Sequence, residues 1–198
     1  LLSQRGYTVT TLTGRDATKA RLFEEMVRLK ELAVTESNVL FSYQGHGSNY
    51  GLSIGGQVVN PKELYKRVNR LRSNNIGLVI ESCHSGVFVN SHNRQKLRPD
   101  ISVLTASGEE QVAAETVLHS ARAGRRDVYI GRLAKALTSY LRDHRGAFNL
   151  SDFYNDVMNI RYSQYANLRA QNPQLMNGSY ELPRAVTLMH SVVSPDSR

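Results

Sequence analysis

The sequence predicts an α/β fold: a predominantly parallel sheet flanked by helices on both faces. Three observations carry this. Val39 to Tyr43, Ile76 to Ile80 and Ile101 to Ala106 are short, nearly continuous apolar runs, the pattern of strands buried on both faces. Stretches with apolar residues at helical spacing separate the strand-like runs, as crossover connections between parallel strands require. The first two runs pass directly into glycine-flanked polar motifs, and the carboxyl ends of parallel strands are where such sheets place their ligands.

Taken in order, Leu1 to Gly6 reads as a helix end closed by glycine. Tyr7 to Leu12 alternates like a strand. After the turn Thr13-Gly14-Arg15-Asp16, Asp16 is the expected cap of a helix from Ala17 to about Ala33, with Leu22, Met26 and Leu29 on one stripe. Leu52 to Val59 predicts a hairpin around Gly55-Gly56. Pro61 opens a helix to about Arg72, with Leu64, Val68 and Leu71 inward. Tyr129 to Arg142 and Leu150 to Leu168 are expected helices, and Ala185 to Met189 a last strand. No repeat, low-complexity segment or second domain interrupts residues 1–198, so the chain reads as one domain.

Composition narrows the function. Hydrophobic residues make up 40% and charged residues 21%, an ordinary globular balance, and no apolar run reaches the roughly 18 residues of a membrane helix. Lys and Arg number 25 against 17 Asp and Glu, a net +8. The basic residues are scattered, apart from Arg122, Arg125 and Arg126, so a solvated basic surface is expected and a nucleic-acid partner is not. The single cysteine rules out an internal disulfide and a cysteine-rich metal site. It fits a reducing, cytoplasmic setting.

That cysteine is also the centre of the chemistry. A thiolate nucleophile needs a partner that moves protons and backbone N–H groups aimed at an oxyanion. Gln44-Gly45-His46-Gly47-Ser48 presents an imidazole on an unhindered turn after one strand, and Glu81-Ser82-Cys83-His84-Ser85-Gly86 presents a thiol after another. Adjacent parallel strands bring two such turns together. The bland readings are a buried core cysteine and a turn or metal-binding histidine. The polar neighbours Ser82 and His84, just beyond the apolar run, fit the first poorly.

These motifs resemble those of the caspase-like cysteine peptidases, in particular the metacaspases and their bacterial relatives. Phe41 to Gly47 is similar to the histidine motif and Glu81 to Gly86 to the cysteine motif. Thr105-Ala106-Ser107 through Gln111-Val112-Ala113-Ala114-Glu115 resembles the segment after the next strand, and Gln171-Asn172-Pro173-Gln174-Leu175 a proline motif near the carboxyl end. The resemblance implies a caspase-like fold and a cysteine endopeptidase acting on proteins or peptides without a cofactor. Cys83 would be the nucleophile and His46 the proton carrier, with the backbone N–H groups of Gly47 and Cys83 forming the oxyanion hole. His84 would be structural. Glu81, with Gln44, would line the S1 pocket; an acid there implies Arg or Lys at P1, although legumain-like relatives with a glutamate cut after asparagine. A strand-end acid that merely solvates its turn is the plain alternative for Glu81.

The chain also departs from that family. Gln44 stands where metacaspases usually have serine. The only acids between His46 and Asp100 are Glu63 and Glu81, so the family's calcium site, which needs several oxygen ligands, is not expected. The family's first strand and loop would precede Leu1, so an upstream segment or another chain is expected to complete the fold. The rival function is a non-catalytic caspase-like interaction or regulatory module. The 119–127 segment, rich in small residues and arginines, is the expected processing loop, with Arg122, Arg125 and Arg126 as autocleavage sites. Intact-mass analysis after incubation checks this: fragments ending at one of these arginines are expected from the wild-type chain and not from Cys83→Ala.

Overall fold

A computed structural model describes residues 2–118, 128–144, 146–158, 171–177, 180–182 and 189–193. The strands are β1 (Val9–Leu12), β2 (Asn38–Gln44), β3 (Gly47–Ser48), β4 (Gly51–Ile54), β5 (Gln57–Val59), β6 (Asn75–Glu81), β7 (Ile101–Thr105), β8 (Glu115–Leu118), β9 (Val128–Gly131), β10 (Phe148–Asn149), β11 (Gln174–Met176), β12 (Glu181–Leu182) and β13 (Met189–Val193). The helices are α1 (Lys19–Leu32), α2 (Pro61–Val68), α3 (Ser91–Arg94), α4 (Arg132–Asp143) and α5 (Leu150–Met158).

The central sheet has the order β1-β13-β2-β6-β7-β11. Its first five strands run parallel, and β11 joins the far edge antiparallel to β7. Side-chain alternation splits the core into two layers. Val39, Phe41, Tyr43, Ile76, Leu78, Ile80, Ile101 and Val103 face α1 and α2, where Leu22, Met26, Leu29, Leu64 and Val68 close the layer. Leu40, Val79 and Leu104 face α4 and α5, meeting Leu133, Ala136, Tyr140, Phe153 and Val157. The expected α/β class, with helices on both faces of a mainly parallel sheet, is therefore present. Each fully buried Leu or Ile stabilises this arrangement by about 1.5–3 kcal/mol.

Local chemistry moved several expected boundaries. Asp16 does not cap α1. It ends a short 3-10 turn, and the Thr18 side chain accepts the Arg21 N–H instead. Helix α2 starts as expected, with an Asn60–Glu63 capping box around Pro61, but stops at Val68. The Gly55-Gly56 hairpin is present with both glycines at positive φ, the geometry of a type I′ turn. The helix expected from Tyr129 begins only at Arg132, because residues 128–131 pair with β8 as a strand. Helix α5 is described as far as Met158, and the remainder of that expected helix lies outside the described residues.

The last described strand is Met189–Val193, which begins at the final residue of the expected 185–189 span; 185–188 lie outside the described residues. It enters between β1 and β2, parallel to both. The position beside β2 is thus held by the chain's own distal segment. Among the described residues no helix is long and apolar enough to cross a membrane.

Gly77, in the middle of β6, leaves room for the Tyr180 ring against the sheet. A Cβ at this position would stand 2.8 Å from the Tyr180 ring and 3.1 Å from Leu40 Cδ1. Gly77→Ala is therefore expected to destabilise the fold by about 1–3 kcal/mol, read as a lower urea midpoint with an unchanged slope.

Candidate active site

Strands β2 and β6 end level with each other. Their register pairs Gln44 with Glu81, and one further bond, from Gly45 N–H to the Glu81 carbonyl at 3.0 Å, continues the ladder past the strands. The His46 and Cys83 turns therefore leave the sheet side by side at its carboxyl edge. Gly47 closes the gap: a Cβ there would lie 2.5 Å from Ser82 Oγ and 2.6 Å from the Cys83 carbonyl, so only glycine lets the turns touch. The backbones of the two turns singled out from sequence thus lie in contact across Gly47. His46 is exposed and Cys83 half-buried.

The backbone of the histidine turn is fixed from beneath. The His46 carbonyl accepts the Ser53 N–H at 2.9 Å and lies 2.8 Å from the hydroxyl of the fully buried Tyr43. The Ser53 bond makes Gly47 and Leu52 a non-hydrogen-bonded antiparallel pair, which turns the Gly47 N–H out of the hairpin ladder. Among the described residues nothing accepts the Cys83 N–H either. Both amides expected to hold an oxyanion are thus left unclaimed by the described residues.

The cysteine turn depends on His84, whose φ of 57° is left-handed. Its N–H donates to the Gln111 carbonyl at 2.7 Å and its Nδ1 to the Glu109 carbonyl at 2.9 Å. His84 is occupied as a structural pin. Ser85 and Ser107, both fully buried, exchange hydrogen bonds, and Ser107 Oγ donates to the Ser82 carbonyl at 3.1 Å. They stitch the turn to the end of β7. Sequence reasoning did not find this pair; its signal was a small polar residue shortly after each buried strand.

Residues 108–114 fold over the turn. The Cys83 thiol donates to the Ala113 carbonyl at 3.8 Å. The neighbouring Ala114 N–H donates to Gln171 Oε1 at 2.7 Å, while Gln171 Nε2 donates to the Ala106 carbonyl at 3.3 Å. Gln171 therefore bridges both ends of the 106–114 segment.

Glu81 sits in an unexpected setting. Its carboxylate does not face open space. Oε1 accepts the Leu133 N–H at 2.7 Å and Oε2 the Ala134 N–H at 2.8 Å, so Glu81 caps α4 from a different strand. A Cβ on Gly131 would stand 1.9 Å from its Cδ. The side chain is 4% exposed. Burial pushes the Glu81 carboxyl up to about 7, against the opposing pull of the two amides; the charge of Glu115 adds to the rise. Gln44 stands beside Glu81 and opposite Val193, half-buried. The other acid between the motifs, Glu63, pairs with Lys19 at 2.7 Å. Among the described residues no three His, Cys, Asp or Glu side chains cluster as metal ligands would. Arg122, Arg125 and Arg126 lie outside the described residues.

No protein-family model matches the chain. No curated protein matches it either.

The Glu81 geometry has a consequence for stability. A carboxyl raised in the native state holds its proton there more tightly than in the unfolded chain. Its contribution is complete below the unfolded carboxylate value and is lost as pH rises through about 7. Unfolding free energies of wild type and Glu81→Gln, measured from about pH 5 to about pH 8, are expected to shift in favour of Gln as pH rises, by on the order of 2 kcal/mol.

Proposed function

We propose that the chain is a cysteine endopeptidase of the caspase-like type, with Cys83 as nucleophile and His46 as proton carrier. The observation that carries this reading is the contact of the two turns across Gly47, at the carboxyl edge of adjacent parallel strands. Cys83 Sγ attacks the scissile carbonyl, and the developing oxyanion is received by the Gly47 and Cys83 N–H groups. His46 takes up the thiol proton and delivers it to the leaving amine. Water then releases the acyl group from the sulfur. The exposed setting of His46 suits this role, because the imidazole can turn between nucleophile and leaving group.

Arg or Lys at P1 is the preference proposed, with Glu81 and Gln44 as its determinants. Because the α4 amides already hold the Glu81 carboxylate, a P1 cation reaching it displaces Leu133 and Ala134. Binding of a basic side chain is therefore coupled to movement of the α4 N-terminus. A charge-assisted pair with a desolvated carboxylate is stronger than a neutral hydrogen bond, which makes that exchange feasible. A non-catalytic module of the same architecture is the second reading. It is favoured by one observation, that Glu81 is buried with each carboxylate oxygen held by an α4 amide.

A positional-scanning peptide library separates the two. Wild type is expected to cleave after Arg or Lys. Cys83→Ala is expected to retain its fold and lose turnover entirely, while His46→Ala keeps only a small residual rate. Substantial turnover by folded Cys83→Ala refutes the mechanism, selection of Asp or Asn at P1 refutes the role of Glu81, and an inert wild type that no thiol-reactive peptidyl probe labels supports the module.

A further inference from the structure

The proline-motif glutamine, Gln171, has no part in the mechanism above, yet it is 4% exposed and makes three hydrogen bonds around the cysteine turn. Its backbone carbonyl accepts the Gly108 N–H at 3.3 Å, its Nε2 donates to the Ala106 carbonyl, and its Oε1 accepts the Ala114 N–H at 2.7 Å. The last bond matters most. The Ala114 N–H and the Ala113 C=O belong to one peptide unit, and in a planar trans peptide they point in opposite directions. Gripping the N–H on one side therefore aims the C=O on the other, and that carbonyl receives the Cys83 thiol at 3.8 Å.

We propose that Gln171 is a positioning residue for Cys83: by holding the Ala113–Ala114 peptide it directs the Ala113 carbonyl at the thiol and keeps the sulfur in a resting, proton-engaged state. A thiol whose proton is held by a carbonyl is a poorer nucleophile than one free to pass it to a base. The same loop reports on its surroundings, since Val112, next to Ala113, is 65% exposed. A substrate that engages this strip and turns the peptide releases the thiol towards His46. The consequence for catalysis rests on the reading of Cys83 as the nucleophile; the thiol measurement does not.

The chain has one cysteine, so its reaction with a small pyridyl disulfide reports Cys83 alone and needs no peptide substrate. Gln171→Met keeps the length of the side chain and removes both polar bonds. Gln171→Glu keeps the acceptor for the Ala114 N–H. At neutral pH and with folding checked by circular dichroism, Gln171→Met is expected to react about twofold to fivefold faster than wild type, the range set by losing one weak S–H···O bond. Gln171→Glu is expected to react no faster than wild type. A folded Gln171→Met protein reacting at or below the wild-type rate overturns the proposal, as does a Gln171→Glu protein as fast as Gln171→Met. If Gln171→Met does not fold, hydrogen exchange in the wild-type protein decides. The Ala114 amide is expected to exchange far more slowly than that of exposed Glu110, and equal rates overturn the proposal. A protein inert towards peptides can still pass these tests, and an active peptidase can still fail them.

Discussion

Adjacent parallel strands that stop at the same level force whatever follows them into contact, and here that constraint governs the rest of the molecule. The register of β2 on β6 places Gln44 opposite Glu81, so the histidine and cysteine turns start from one line. A shift of one residue would turn every side chain of β6 to the other face, taking Leu78 and Ile80 out of the layer they fill with α1 and α2 and moving the two turns apart. Apolar burial on both faces thus fixes the register from which the two polar turns start. Gly47 completes the arrangement by having no side chain where Ser82 and the Cys83 carbonyl already are.

Much of this was legible in the sequence because buried parallel strands have a distinctive signature. Ile76 to Ile80 can be little else, and glycine-flanked polar residues after it mark a strand end. The hairpin at Gly55-Gly56 and the helix start at Pro61 were equally clear, since both follow from local backbone chemistry. The misplaced boundaries have separate causes. Residues 129–131 carry a pattern compatible with the helix that follows, and only pairing with β8 makes them a strand; that pairing is a tertiary choice with no local mark. Thr18 rather than Asp16 caps α1 because the chain makes one more turn before the helix, and both residue types are good caps.

The roles of Glu81 and Gln171 were least accessible. The sequence shows an acid two residues before a cysteine but not that the N-terminus of a helix fifty residues further on will settle on it. It shows a glutamine before a proline but not that its side chain will bridge two ends of a loop. Both are long-range polar contacts between small numbers of atoms, and periodicity, which reports faces and not partners, is blind to them. They are also buried polar groups whose side-chain oxygen and nitrogen atoms are each hydrogen-bonded, the condition under which such groups specify one arrangement.

The placement of β13 bears on how the chain reaches this state. The first strand of the sheet touches the second only through the last, so β1 has no seat until nearly the whole described chain has been brought back on itself. Loop closure on that scale is slow even when its equilibrium cost is modest. Until it happens, β2 presents an unpaired edge of apolar residues beside the histidine turn, an invitation to pair with another molecule. The described sheet is thus closed by β13, and conditions that delay its docking favour intermolecular strand pairing at the β2 edge.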